Sequence, residues 1–189
     1  MILSNVQILE RIQAGDFTIT DLAGRDPCRA PFNTSAVDLR LADQITVPAS
    51  GRPFQLDLSG GGIAQHLAQN STSYTISERQ PFSLIQHQLV LARTRETVSF
   101  PLRGDGTCYS ARVEGKSSLA RCGVLVHFTA PTIHAGFSGS ITLEIINLGP
   151  QAVLLTQGMY ICQLIIEEVA GCPADAPNQF RGQSTPAGV

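Results

Sequence analysis

One segment of the chain combines residue types that could bind an anion. It is the stretch RVEGKSSLAR, residues 112–121, which holds the protein's only lysine, two adjacent serines and two arginines. Its glycine permits a sharp turn after a predicted strand, and Ser117 or Ser118 is expected to cap a short helix. Amide hydrogens at that helix start, the ammonium of Lys116 and the guanidinium of Arg121 would favour a polyphosphate. The pattern also fits a capped turn with a surface arginine, so both interpretations stay open.

A second candidate group is the carboxylate of Glu144. It lies in the stretch TAPTIHAGFSGSITLEIIN, residues 129–147, where a glycine-flanked turn leads into an apolar strand. Alternation places Ile141, Leu143 and Ile145 on one face of this strand and Glu144 on the other. A carboxylate is costly to bury without partners. Glu144 therefore forms a salt bridge to an arginine, or it is a general base whose pKa is raised by apolar walls.

The composition limits the class of protein. With 189 residues, the chain is expected to form about one domain. Its net charge of -2 and the lack of a basic run argue against a polynucleotide partner. Only 15% of the residues are charged and 43% are hydrophobic, which predicts a surface that is partly buried against other subunits.

The cysteines and histidines do not predict a metal site. None of the five cysteines form a C-x-x-C pair, and scattered thiols are most often small buried hydrophobes. The four histidines form no H-x-x-x-H or H-x-E pattern, so structural zinc is not expected. The N-terminus lacks the features of a signal peptide, and no apolar run is long enough to cross a bilayer. We expect a cytosolic protein with no membrane partner.

Short helices are predicted at three places. Ser4 and Gln7 form a capping box that opens an N-terminal helix, which stops near Gly15. A small helix is expected over residues 63–68, and the helix after the lysine should end at Gly123.

The rest of the chain alternates between short β runs and turn residues. The predicted strands are 36–41, 54–58, 73–76, 88–94, 109–114, 124–129, 140–147 and 160–167. Many short strands with turns between them indicate a mainly β domain, either a sandwich or a jelly-roll-like barrel, over residues 1–170. Residues 171–189 hold few core-forming side chains, so they are expected to form a mobile arm or to be disordered.

The two candidate segments together resemble the dCTP deaminase branch of the dUTPase superfamily. The resemblance is carried by RVEGKSSLARCGVLVH (112–127) and by IHAGFSGSITLE (133–144). The N-terminal MILS, the run SAVDLRL (35–41), residues 150–163 and the tail FRGQ (180–183) are similar to other parts of that family. The similarity covers most of the chain.

This resemblance implies a fold, an activity and an assembly. It implies a dUTPase-like jelly-roll-type β fold in a homotrimer, with active sites between neighbouring subunits and the C-terminal arm closing over them. The implied reaction is the deamination of dCTP to dUTP and ammonia without zinc, which fits the lack of the ligand set of zinc deaminases. Magnesium would be bound through the phosphate oxygens of the substrate rather than by protein ligands.

The resemblance also implies roles for individual residues. Glu144 would activate the water that attacks the 4-position carbon of cytosine, while Ser117 and Arg121 orient that water and the carboxylate. The other implied contacts are Lys116 and Ser118 with the triphosphate, Thr142 and Leu143 with the base, the backbone of Ala130 with the water, His134 with the sugar, and Gln179 and Gln183 from the arm.

The chain departs from the family pattern at several of these positions. His134 replaces an aspartate that activates water in dUTP-hydrolysing members, and an imidazole is not a permanently anionic acceptor. Lys116 replaces an arginine and so loses the bidentate fork. Thr132 replaces a longer polar residue, Gln179 a lysine, and Phe180 a tyrosine. These changes predict weaker triphosphate binding or a different nucleotide preference.

Two other functions stay open. A dUTP diphosphatase, or a bifunctional deaminase and diphosphatase, is disfavoured by His134. A catalytically inactive nucleotide-binding homologue is disfavoured because Glu144, Ser117 and Arg121 are retained, and a pure binder has little use for a desolvated base.

Overall fold

The computed structural model describes residues 1–49, 62–104, 106–176 and 186. The helices of this part are α1 (Asn5–Ala14), α2 (Ile63–Gln69) and α3 (Ser117–Ala120). Its strands are β1 (Thr18–Ile19), β2 (Phe32–Asn33), β3 (Ala36–Arg40), β4 (Gln44–Pro48), β5 (Ser71–Thr75), β6 (Phe82–Leu84), β7 (Leu89–Ser99), β8 (Cys108–Gly115), β9 (Val124–Val126), β10 (Thr132–Ile133), β11 (Ser138–Asn147), β12 (Val153–Leu155) and β13 (Tyr160–Val169). The prediction of a mainly β fold is confirmed.

Two antiparallel sheets make up most of the described structure. One has the order β5-β4-β7-β11-β9, with β1 also paired to β7, and the other has the order β10-β8-β13-β3-β2. A third, two-stranded sheet pairs β12 with β6. In the part of the chain that the structure describes, neither large sheet closes on itself, so of the two predicted architectures the sandwich is the one that forms.

The core lies between the inner faces of the two large sheets. On β11, Ile141, Leu143 and Ile145 are at most 1% exposed, as the alternation predicts. On β13, Leu164 and Ile166 are fully buried in the same way. Because successive side chains point to opposite faces of a strand, the residues between them, including the candidate carboxylate on β11, lie on the outer faces.

Helix α1 forms as the sequence predicts. The backbone N–H of Gln7 donates to the hydroxyl of Ser4, and the backbone N–H of Ser4 donates to the side-chain oxygen of Gln7, which completes the capping box. Gly15 ends the helix in the left-handed conformation, with φ of 75°. Helix α2 confirms the short helix predicted over residues 63–68.

The N-cap of helix α3 lies at least one residue earlier in the sequence than predicted. Lys116 is its N-cap, without a side-chain capping bond, so the prediction that Ser117 or Ser118 caps this helix is wrong. The physical reason is that Lys116 keeps the extended conformation of the preceding strand, with φ of -89° and ψ of 134°, while both serines are already helical. The turn after α3 ends at Gly123, which has φ of 83°.

Several strand boundaries differ from the prediction. β9 ends at Val126 rather than at residue 129, because His127 adopts a left-handed conformation with φ of 64° and breaks the extended backbone. β7 extends to Ser99, five residues beyond its predicted end, and β4 was not predicted. The strand predicted over 54–58 lies outside the described residues.

The C-terminal arm falls largely outside the described residues. Residues 171–176 contain no helix or strand, and β13 ends at Val169, so the boundary at residue 170 stays a prediction. Among the described residues, no helix has the length and apolar character required to span a membrane.

Candidate active site

Glu144 lies on the outer face of β11. Its neighbours in sequence point into the core, and its cross-strand partner on β7 is Leu91. The Glu144 side chain is 36% exposed. The carboxylate therefore has an apolar neighbour on one side and remains accessible to a ligand.

His127 holds this carboxylate from the end of β9. Its Nδ1 lies 2.8 Å from Oε2 of Glu144, and its backbone N–H donates to the backbone carbonyl of Glu144 over 2.8 Å. The imidazole is only 6% exposed. Both the backbone and the side chain of His127 are thus fixed to the same residue of β11.

The other nitrogen of the imidazole contacts the backbone of Ala130. The distance from Nε2 of His127 to the Ala130 carbonyl oxygen is 2.7 Å. A single ring therefore joins the carboxylate of Glu144 to Ala130, which the sequence resemblance assigned to the attacking water.

These contacts set the ionisation of Glu144. Burial raises the pKa of its carboxyl group, but the hydrogen bond from His127 and the charge of that ring lower it by more. The net result is a pKa below the usual value of glutamate, so the predicted increase is wrong. Among the described residues, the ion-pair partner of Glu144 is His127 and not an arginine.

The residues assigned to the base lie next to Glu144 on β11. The Thr142 hydroxyl is buried and has no hydrogen-bond partner among the described residues, so it can still bind a ligand. The Leu143 side chain is fully buried in the core, which leaves only its backbone for a substrate contact. Across the strand pair, Arg93 lies opposite Thr142 and places one guanidinium nitrogen 3.3 Å from Asp43.

The serines and the arginine of the anion-binding segment lie at the opposite end of β9 from His127. Ser117, Ser118 and Arg121 are exposed on α3 and the turn that follows it, and α3 packs on β9. The three residues of β9 span about 10 Å. No hydrogen bond or ion pair joins Arg121 to Glu144 in the described part of the chain.

Two glycines fix the turn that carries Arg121. A Cβ atom on Gly123 would lie 2.3 Å from the backbone nitrogen of Gly149, and one on Gly149 would lie 2.0 Å from the carbonyl oxygen of Cys122. The backbone N–H of Leu148 donates to the Gly123 carbonyl over 2.8 Å. This close backbone contact ties the end of α3 to the end of β11.

Lys116 follows β8 and is held by a carboxylate on β3, a strand of the same sheet. Its Nζ lies 2.6 Å from Oδ2 of Asp38, a residue that is 8% exposed and also accepts a hydrogen bond from Asn33. A phosphate group would have to compete with Asp38 for this ammonium.

The remaining predicted site residues are only partly described. His134 is exposed in the turn after β10. Gln179, Phe180 and Gln183 lie outside the described residues. Within residues 1–49, 62–104 and 106–176, no group of three or more histidine, cysteine, aspartate or glutamate side chains could hold a metal ion.

A comparison with known families shows which protein family contains this chain. The model of the family described as "dCTP deaminase-like" matches residues 2–169. The chain belongs to this family. A protein of Methanobrevibacter smithii named "dCTP deaminase, dUMP-forming" is 35% identical over 176 residues, covering 93% of this chain and 84% of the relative. A protein of Haloarcula marismortui named "dCTP deaminase" is 35% identical over 193 residues, covering 98% and 92%.

The fold of this dCTP deaminase-like protein has a counterpart among solved structures. The crystal structure of 2'-deoxycytidine 5'-triphosphate deaminase from Agrobacterium tumefaciens superposes with a TM-score of 0.63 at 19% identity. The superposition covers 89% of this chain and 48% of that chain, so the chain spans about half of the structure it matches. At this identity the comparison shows a shared fold.

Sequence reasoning missed two polar residues of the site in this dCTP deaminase-like chain. His127 contacts the candidate base directly, but its role depends on the left-handed turn and on the register of β9 with β11. Arg93 faces Thr142 only because of the pairing between β7 and β11. Side chains two residues apart in a strand share a face, so the alternation of β7 places Arg93 on the same face as Leu91. That alternation is the only feature of the sequence that could have indicated the position of Arg93.

Proposed function

We propose that this protein catalyses the zinc-independent hydrolytic deamination of dCTP to dUTP and ammonia. The observation that carries the proposal is the position of Glu144, a half-buried carboxylate on an outer sheet face that is held ionised beside a free hydroxyl. Relatives at 35% identity that carry the name dCTP deaminase support the choice of reaction.

Glu144 acts as the general base. Its carboxylate takes one proton from water, and the resulting hydroxide adds to the 4-position carbon of cytosine. The proton held by the carboxyl group then passes to the exocyclic amino group, which leaves as ammonia as its bond to that carbon breaks. Thr142 and the backbone of Leu143 receive the base, and Ser117 and Arg121 orient the water and the carboxylate. A positioned base of this kind contributes roughly a hundred- to ten-thousand-fold in rate.

The active site forms between the subunits of a homotrimer. Within one protomer, β9 separates Arg121 from Glu144, so a second copy is needed to bring the two groups to one substrate. An apolar row beside Glu144, made of Leu89, Ile146 and Leu125 on three adjacent strands, supports an interface there. Leu89 is 39% exposed and Leu125 is 41% exposed, so this row presents apolar surface beside Glu144.

The substrate is the magnesium complex of dCTP. The metal is bound by the phosphate oxygens and enters with the nucleotide. Lys116 and Ser118 bind the triphosphate, the first in exchange for Asp38. His134 contacts the sugar, and Gln179 and Gln183 close over the phosphates from the arm. The cytosolic location expected from the sequence stays a prediction.

A second candidate reaction continues from dUTP to dUMP. It is favoured by the name of the M. smithii relative, "dCTP deaminase, dUMP-forming", which is as similar to this chain as the H. marismortui relative is. It is disfavoured by His134, since an imidazole replaces the aspartate that activates water in hydrolytic members.

Product analysis tests both reactions. The purified protein is incubated with magnesium and, separately, with dCTP, CTP, dCMP and dUTP, and the products are resolved by ion-exchange chromatography. Conversion of dCTP to dUTP without further hydrolysis is the expected result. Release of dUMP and pyrophosphate would replace the first candidate with the second, and measurable binding without any product would refute both.

A further inference from the structure

We propose that His127 is a positioning residue of the reaction, whose imidazole orients the Glu144 carboxylate. This inference rests on the proposed function, in which Glu144 is the base. Its structural basis is the set of three contacts that His127 makes at the end of β9, two with Glu144 and one with Ala130.

The partners of the ring fix its orientation. The Ala130 carbonyl can only accept a hydrogen bond, so Nε2 of His127, 2.7 Å away, must be the donor. The other ring nitrogen, Nδ1, faces the carboxylate and lies 2.8 Å from Oε2 of Glu144. The ring is therefore anchored to the backbone at one nitrogen and presents the other nitrogen to Glu144 in a fixed orientation.

The backbone holds the ring where it is needed. His127 adopts the left-handed conformation, which is uncommon for a residue other than glycine and costs of the order of 1 kcal/mol or more. The bond from its N–H to the Glu144 carbonyl stabilises this conformation. Since the imidazole is 6% exposed, it has little freedom to leave the carboxylate.

This pair has two consequences for the base. Oε2 of Glu144 is engaged by the ring, which leaves Oε1 to take the proton from water and stops the carboxylate from rotating freely. The contact with His127 lowers the pKa of the Glu144 carboxyl group, so the proton taken from water is passed on readily to the departing amino group. His127 thus orients the carboxylate for the first half of the proton transfer and favours release of the proton in the second half, without touching the substrate.

Other charged groups surround this pair and must be considered in any pH experiment. On β11, Glu144 is the charged residue. The charged groups on the other elements packed around β9 and β11 are Arg112 and Glu114 on β8, Lys116 and Arg121 at the two ends of α3, and Arg93, Arg95 and Glu96 on β7. Five of these are in ion pairs, Arg112 with Glu167, Lys116 with Asp38, Arg93 with Asp43, Arg95 with Asp21 and Glu96 with Arg40. All of them are common to the wild type and the variants below.

The variant His127→Asn removes the charge with little effect on the backbone. Asparagine tolerates the left-handed conformation and retains a short amide donor near the position of Nδ1. His87→Asn is the matched control, because His87 is an exposed histidine with φ of 61° and its side chain is not among the contacts of Glu144. A general loss of stability from this substitution would affect both variants.

We expect His127→Asn to lower kcat for dCTP roughly ten- to a hundredfold, with KM nearly unchanged, because the base is less well oriented. The acidic limb of the kcat profile should move to higher pH, since burial then raises the pKa of Glu144 without opposition from a charge. His87→Asn should change neither quantity. An unchanged kcat and an unchanged acidic limb in His127→Asn would overturn the proposal.

An NMR measurement separates this inference from the proposed function. The carboxyl carbon of Glu144 should titrate at higher pH in His127→Asn than in the wild type, whether or not dCTP is a substrate. Equal titration of Glu144 in both proteins would refute the role of His127 even if dCTP is turned over.

Discussion

At the scale of single residues, the chemistry depends on the surroundings of Glu144. Leu91 lies across the strand pair and contributes no polar group, while His127 supplies a charge beside the carboxylate. The ring outweighs the effect of burial, so the pKa of Glu144 is lowered rather than raised. A base of this type is ionised at neutral pH without the help of substrate. Such a carboxylate is already in its reactive, ionised form, but its lower pKa makes it a weaker base. The attacking water must therefore be precisely oriented.

The lowered pKa predicts the pH dependence of turnover. A glutamate whose folded-state pKa is depressed stays ionised as pH falls through the usual glutamate range, and it is protonated only below that range. The acidic limb of kcat for dCTP should therefore lie below the ordinary pKa of glutamate. The measurement is kcat from steady-state assays across mildly acidic pH, with a fluorescence check that the protein stays folded. A limb above the ordinary glutamate value would contradict the role given to His127.

The residue-level contacts show what a sequence pattern can predict. The alternation of β11 is enough to place Glu144 on the face opposite to the core, because strand side chains have a period of two. The partner of Glu144 was not predictable in this way, since it depends on one left-handed residue at the end of β9. The ion pair of Lys116 with Asp38 joins residues 78 positions apart, and only the pairing of β3, β13 and β8 brings them together.

At the scale of elements, the placement of α3 depends on two glycines. Gly123 and Gly149 approach so closely that neither has room for a Cβ atom. Asn147, which is fully buried, supports the same junction by accepting a hydrogen bond from Gly149 and donating to Leu84 and Gln151. The end of α3 and the end of β11 therefore behave as one rigid unit.

This junction predicts a large effect of Gly123→Ala. The new Cβ would lie 2.3 Å from the Gly149 nitrogen, and the left-handed φ of 83° adds a cost of about 1–2 kcal/mol. We expect a loss of unfolding free energy well beyond that amount, and a lower kcat because Arg121 is displaced. Chemical denaturation and the dCTP assay measure the two effects.

Gly158→Ala is the matched control for this substitution. Gly158 has almost the same φ, 82°, but a Cβ atom there would meet nothing within 4 Å. Gly158→Ala should therefore lower the free energy of unfolding only by the cost of placing alanine in the left-handed conformation. Equal losses of stability in the two variants would show that the close contact between Gly123 and Gly149 contributes nothing.

At the scale of the whole molecule, the proposed site residues do not all meet within one protomer. Ser117 and Arg121 lie at one end of β9, and His127 with Glu144 lies at the other. The apolar row of Leu89, Ile146 and Leu125 adjoins Glu144 on the outer face of the sheet. The low fraction of charged residues and the apolar row beside Glu144 both support the proposed assembly, in which neighbouring copies share each site.

A shared site predicts complementation between two inactive variants. Glu144→Gln and Arg121→Gln each remove one essential group, and each alone should be inactive. If the two groups of a site come from different copies, mixed trimers formed by refolding an equimolar mixture should regain up to about a quarter of the wild-type activity. Recovery close to zero would show that both groups of a site belong to the same subunit.

The most direct test of the account is the effect of Glu144→Gln on dCTP turnover and on dCTP binding. Glutamine has nearly the same shape but cannot accept a proton from water, so the reaction should lose its base while the nucleotide contacts persist. We predict a fall in kcat of roughly a hundred- to ten-thousand-fold, with a dissociation constant for dCTP, measured by calorimetry, close to that of the wild type. Turnover at the wild-type rate in this variant would contradict the assignment of Glu144 as the base.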